Sequence, residues 1–175
     1  MTLANGHSDT SPCGHGSIGA AMSAAIRVAR EGAAAGEQPY GAVVMSPDGR
    51  IIGRAHDEAV TCDDPTAHSE LLAVQRALGA QAGNLEGCTL VCTVEPCAMC
   101  FQAAWWAGVG ALAFGVEMQE IVERYPGVIE EVVIDSVTLN SLAKRRLAVS
   151  QGVSHDACLE LWAESEGSRR KGTPE

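Results

Sequence analysis

Apolar positions recur at helical spacing through SIGAAMSAAIRVAREGAAAG and the pattern breaks at Gly36, which predicts a helix over residues 17–36. The period changes in YGAVVMSPDGRIIGRAH, where two short apolar runs flank Ser46-Pro47-Asp48-Gly49. That predicts two strands joined by a tight turn. Asp64-Pro65 offers an N-cap acceptor followed by a residue whose missing N–H is not needed in a first turn. A helix is therefore expected to open there and run through HSELLAVQRALGA. CTLVCTV, short and rich in β-branched residues, reads as a buried strand. Pro96 opens another helix, CAMCFQAAWWAGV; GALAFGV is the next strand, and MQEIVERY is helical. IEEVVIDSVTLNSLAKRR fits no single period and reads as an extended piece followed by a short helix. RLAVS is a last strand, and Ser154 is expected to cap a final helix, HDACLELWAES. Alternating helices and strands of this kind predict a three-layer α/β domain around one mixed sheet. No repeat or linker divides it: a leader at 1–16 is followed by one domain at 17–165 and a polar tail at 166–175.

The 175 residues suffice for one domain with a real core. No apolar run approaches a membrane span. The start, MTLANGHSDTSPCGHGS, lacks the basic opening and apolar stretch of a secretory signal, so a cytoplasmic protein is expected. The formal net charge is −10, where a grip on a phosphate backbone usually needs a basic face. Lys144-Arg145-Arg146 and Arg169-Arg170-Lys171 are expected to be a solvated helix face and a frayed tail. Small molecules are the expected partners, not nucleic acid or membrane.

Seven cysteines and no signal peptide argue against a disulfide framework, and make a close pair metal-binding or catalytic. Cys88 and Cys92 lie in an apolar stretch and read as core thiols. Cys13, with His7 and His15, lies in the leader and is not read as a site. Cys97 and Cys100 are different. Three apart at a helix start, they share a face, and the helix N-terminus favours thiolates. Alone they could be a redox pair, but a redox pair needs no histidine. PTAHSELLA supplies one: His68 and Glu70 open another helix that also follows a proline. His68, Cys97 and Cys100 are three zinc ligands, which leaves a fourth position for chemistry. His56 and Cys62 are the alternatives that would close the site and make it structural. Glu70, beside a ligand, is placed to take a proton from a metal-activated water and pass it to a leaving nitrogen. Its plain reading is a first-turn acid that complements the helix dipole.

HSE at 68–70 followed by PCAMC at 96–100 resembles the signature of the cytidine deaminase-like superfamily of zinc hydrolases. The resemblance extends through PYGAVVMSPDGRIIG, DPTAHSE, LVCTVEPCAMC and WWAGVGALAFG, and resumes weakly at LAVSQGVSHDACLELW. It implies a five-stranded mixed sheet between helices, usually in a homodimer. It implies a Zn2+ cofactor on His68, Cys97 and Cys100, with Glu70 as general acid and base. The reaction it implies is hydrolytic loss of ammonia from a ring carbon, with the N–H groups of Glu70 and Cys97 near the reacting centre. WWAGVG is closer to the guanine deaminases than to the tRNA adenosine deaminases, and the acidic charge agrees. A guanine-like free base is thus the expected substrate. The alternatives are adenosine in tRNA, a nucleoside, a pterin, an aminotriazine or a specialised metabolite. A zinc fold that has lost catalysis and serves as a binding module is the reading from another class. Asp57, Ala67 and Trp162 are the substrate-binding candidates. Asp57 stands where the resemblance implies Asn: an ionised Asp only accepts hydrogen bonds, whereas Asn also donates. Either it meets a substrate edge bearing N–H donors, or it points to solvent or is protonated. Glu130 and Glu131 are candidates for a second proton-shuttling carboxylate. Glu95 matches a position that looks structural.

Overall fold

The computed structural model describes residues 15–81, 83–128 and 132–171, with backbone alone at 15–17 and 167–171. Six helices and five strands alternate in it: α1 His15–Ala34, β1 Gly41–Met45, β2 Ile51–His56, α2 Ser69–Ala80, β3 Thr89–Val94, α3 Ala98–Trp106, β4 Ala111–Val116, α4 Met118–Arg124, α5 Ser136–Leu142, β5 Ala148–Ser150 and α6 His155–Lys171. The strands form one mixed sheet in the order β2-β1-β3-β4-β5. β1 runs antiparallel to both β2 and β3, while β3, β4 and β5 run parallel. This is the three-layer α/β/α arrangement with a five-stranded mixed sheet.

Alternation along β1 divides the core into two layers. Ala42 and Val44 pack with Ala73, Val74, Phe101 and Ala104 of α2 and α3. Val43 and Met45 pack on the other face with Ala25, Ala29, Ile121, Leu161 and Trp162 of α1, α4 and α6. β3 is covered on both faces, which is why TLVCTV is buried at every position. Strand glycines let helices close on the sheet. A Cβ at Gly53 would run into the Ala73 carbonyl of α2, and one at Gly115 into the Cys158 sulfur of α6.

The topology sets where a site can form. β2 and β3 are each antiparallel to β1, so they run in the same direction and end at one edge of the sheet. The segments after them turn back as α2 and α3, so two helix N-termini meet at that edge.

Several elements differ from their sequence expectation. α2 starts at Ser69, not at Pro65, because the Asp64 carboxylate is taken up by the backbone N–H and hydroxyl of Thr66 at 2.8 and 2.7 Å. That makes a turn of residues 64–67 instead of a helix start. Ser154 has φ 53°, in the left-handed region and not the extended one of an N-cap, and only its carbonyl engages the helix, accepting from Cys158 N–H at 3.1 Å. α6 runs on to Lys171, past Ser165, so Arg169-Arg170-Lys171 has a helical backbone. Lys144-Arg145-Arg146 lies in the loop between α5 and β5, not on a helix face. Arg145 is tied down there: its guanidinium donates to the carbonyls of Val109 (2.6 Å) and Trp105 (2.8 Å) and stacks 5.4 Å above the Trp105 ring. Cys88 and Cys92 are buried thiols. His7, Cys13, Glu130 and Glu131 lie outside the described residues.

Candidate metal centre and active site

His68 and Cys97 occupy equivalent positions. Each is the N-cap of its helix, extended at φ −74°, ψ 147° and φ −64°, ψ 168°, and neither side chain is spent on capping. Both side chains are therefore available beyond the helix ends. Cys100, one turn into α3, completes the group. His68 Nδ1 lies 3.7 Å from each of the two sulfurs, and the three ligand atoms lie within 4.8 Å of one another. Ligands at ordinary Zn–N and Zn–S lengths on a tetrahedral ion are separated by about 3.5–3.8 Å, so this donor set fits zinc. No other His, Cys, Asp or Glu joins the group among the described residues. Cys62 is exposed, and His56 Nδ1 donates to the Asp57 carbonyl at 2.6 Å, so neither alternative closes the site.

The electrostatics suit a cation. The hydrogen bond from the Cys100 thiol lowers the pKa of Cys97, and the same bond raises that of Cys100. Cys97 and Cys100 would both be held as thiolates by a divalent ion bound here.

Glu70 is the second residue of α2. On an ideal helix it would diverge from His68, two positions earlier, but His68 precedes the helix and both line one recess. Burial pushes the Glu70 carboxyl up to about 7, against its own backbone N–H and the Ser69 hydroxyl, which donates at 3.1 Å and holds it down. Tyr40, Asp57, Val94, Glu95, Cys97 and Met118 complete the walls. The recess measures about 20 Å³, room for about one water.

Asp57 lies in this wall and is 4% exposed, so it does not point to solvent. Its Oδ1 accepts the Ala59 N–H at 3.1 Å, and burial raises its pKa. Ala67, also buried, is not in the wall; its N–H donates to the Asp64 carbonyl and its C=O accepts from Glu58. Trp162 does not line the recess either. It sits behind Tyr40 in an edge-on stack with ring centroids 5.2 Å apart, and it is a core residue. Four neighbours of the site were not singled out from the sequence: Tyr40, Val94, Met118 and Glu37. Glu37 is a buried carboxylate that accepts the N–H groups of Val60 and Thr61 at 3.0 and 2.7 Å and so fixes the loop after Asp57. Its one local signal was an acid just ahead of a strand. Glu95 accepts from Met118 and Ser136, the first residues of α4 and α5.

Residues 16–116 match the family model described as the cytidine and deoxycytidylate deaminase zinc-binding region. The chain is 34% identical over 125 residues to a tRNA-specific adenosine deaminase of Aquifex aeolicus, covering 70% of this chain and 80% of that one. Its fold superposes on a solved guanine deaminase from Nitrosomonas europaea with a TM-score of 0.76 at 26% identity, over 85% of this chain and 84% of that one. It is also 48% identical over 97 residues to a tRNA(Ile)-lysidine synthase of Deinococcus deserti. That match takes in 54% of this chain, which spans only 18% of that relative's length.

Proposed function

The chain belongs to the cytidine and deoxycytidylate deaminase zinc-binding family, and from that premise we propose that it is a zinc-dependent hydrolytic deaminase. Its substrate in this reading is a small nitrogen heterocycle, a guanine-like free base, from which it removes an exocyclic amino group. The observation that carries the reading is the pairing of a three-ligand His/Cys/Cys group with the buried carboxylate of Glu70 in one water-sized recess.

His68, Cys97 and Cys100 would hold the ion. Zinc in such a site lowers the pKa of a water from about 16 to near 7, which makes a nucleophile available at neutral pH. Glu70 supplies the proton traffic. Burial raises the carboxyl's proton affinity, which suits it to accept a proton and return it. It takes the proton from the attacking water and delivers it to the amino nitrogen, so the C–N bond breaks and ammonia leaves as the carbonyl forms.

The likeness to a tRNA-specific adenosine deaminase supports a second reading, adenosine in tRNA. We favour the small substrate, because the net charge is −10 and Arg145, at the centre of one basic cluster, is committed to backbone carbonyls. A second copy of the chain is the partner expected with this fold.

The test is ammonia release from zinc-loaded protein offered guanine, 8-oxoguanine, cytosine, adenine, guanosine, pterins and aminotriazines, with Glu70→Ala as control. Turnover of a free base, lost about 10²–10⁴-fold in the control, is expected. Ammonia from none of them, by protein with a full complement of zinc, would remove this reading. Release from an adenosine-bearing tRNA anticodon stem alone would favour the second.

A further inference from the structure

Two carboxylates line the recess, and the deaminase reading uses one of them. The other is Asp57, and its environment assigns it a different task. It is 4% exposed, and its Oδ1 already accepts the Ala59 N–H. No second hydrogen bond reaches it among the described residues. An ionised carboxylate has about four lone-pair sites and no donor, so most of its capacity is unused.

The side chain is held on the wall by its surroundings. The Asp57 N–H donates to the Tyr40 carbonyl at 3.3 Å and its carbonyl accepts from His56 Nδ1. The loop that follows is anchored twice. Glu37 takes the N–H groups of Val60 and Thr61, and the Glu58 carboxylate pairs with Arg76 at 2.6 Å. Ala67 C=O accepts the Glu58 N–H and closes the loop back toward His68. A substrate ring brought to the mouth of the recess would thus meet an acceptor that is already positioned and has little freedom to turn away.

The consequence is one of hydrogen-bond polarity. A ring that turns a lone pair toward Asp57 leaves two acceptors facing each other in a buried place and satisfies neither. A ring that turns an N–H toward it gains a charge-assisted hydrogen bond and relieves the cost of burying the carboxylate. We propose that Asp57 is a specificity-determining residue that selects heterocycles carrying N–H donors on the edge facing the β2–α2 loop. The inference rests on the deaminase reading for the placement of the substrate. It narrows the class to rings such as oxidised purines, whose imidazole portion carries N–H at both nitrogens.

Guanine and 8-oxoguanine separate the alternatives. The guanine imidazole holds one N–H and one lone pair, whereas 8-oxoguanine holds an N–H at both positions. Zinc-loaded full-length protein is assayed for ammonia release from each ring, as wild type and as Asp57→Asn, an isosteric change that restores a donor. Calorimetric binding of both rings to zinc-loaded Glu70→Ala protein, with and without Asp57→Asn, reads the same preference without turnover. The expected result is a preference for 8-oxoguanine of about tenfold or more in kcat/KM and in Kd, moved at least tenfold toward guanine by Asp57→Asn. A wild-type protein that prefers guanine, or a ratio that Asp57→Asn leaves unchanged, overturns the inference while the deaminase reading stands. Selective 8-oxoguanine binding without ammonia release from any of the rings offered above would overturn the deaminase reading and leave the selection by Asp57 intact. A protein that neither binds nor turns over either ring would overturn the inference.

Discussion

Trp162 is the residue where a binding role and a packing role are most easily confused. It is large, it is late in the chain, and it touches Tyr40, which does line the recess. Its rings also lie 5.4 Å from Tyr125, and it is 2% exposed. The indole Nε1 has no hydrogen-bond partner among the described residues, so the side chain contributes bulk to the core and leaves its donor unsatisfied. Trp162→Ala is expected to cost about 3–5 kcal/mol in urea unfolding, as for other buried aromatics. Trp162→Phe removes the orphaned donor along with some volume, and the two effects offset to within about 1.5 kcal/mol. For a core residue, the Phe variant keeps its kcat/KM within about twofold once folded. A several-fold rise in KM with an unchanged unfolding midpoint would return Trp162 to the pocket.

At the scale of elements, Glu95 does what no local pattern announces. α4 and α5 have seven residues each, too short to be stable alone. Glu95 ends the β3 segment beside the metal group and accepts the first N–H of both, from Met118 at 3.2 Å and Ser136 at 2.6 Å. One carboxylate thus satisfies an orphan donor on each helix and meets the positive end of each dipole. Glu95→Ala would leave two buried N–H groups unpaired, at a cost of about 2–4 kcal/mol in urea unfolding. Glu95→Gln keeps one oxygen but turns an N–H2 toward the other donor, so its loss should fall between wild type and Ala. The elements whose order comes from side-chain periodicity were legible: the helices from 3.6-residue repeats, the strands from short β-branched runs. So was the candidate metal group, because His68 lies within three residues of a proline and Cys97 and Cys100 follow one closely. What was not legible depends on partners far along the chain. Glu95 reaches 23 and 41 residues ahead and Arg145 reaches back 36 and 40. The start of α2 was misjudged because Asp64 had two competing uses, a cap and a turn, and Thr66 decided between them.

At the scale of the molecule, the candidate metal group is a cross-link as well as a reaction centre. Its ligands come from the N-termini of two helices and are 29 and 32 residues apart in sequence. α2 and α3 also pack on the same face of the sheet, so an ion holding their ends binds the folded state and has no comparable site in the unfolded chain. Such binding stabilises by mass action, about 4 kcal/mol when free metal exceeds its dissociation constant a thousandfold. For a chain of 175 residues that corresponds to a melting temperature higher by roughly 8–16 °C. Chelation of the zinc-loaded protein should therefore lower the melting temperature by that amount, and re-addition of zinc should restore it. Cys97→Ser and His68→Ala should melt near the chelated wild type and respond little to chelator. Glu70→Ala, which keeps all three ligands, should retain its zinc by elemental analysis and its full response to chelation. A wild-type melting temperature that chelation leaves unmoved would mean that the three side chains hold no ion in the folded protein. The recess would then lose its source of activated water, and the assignment of Glu70 would fall with it.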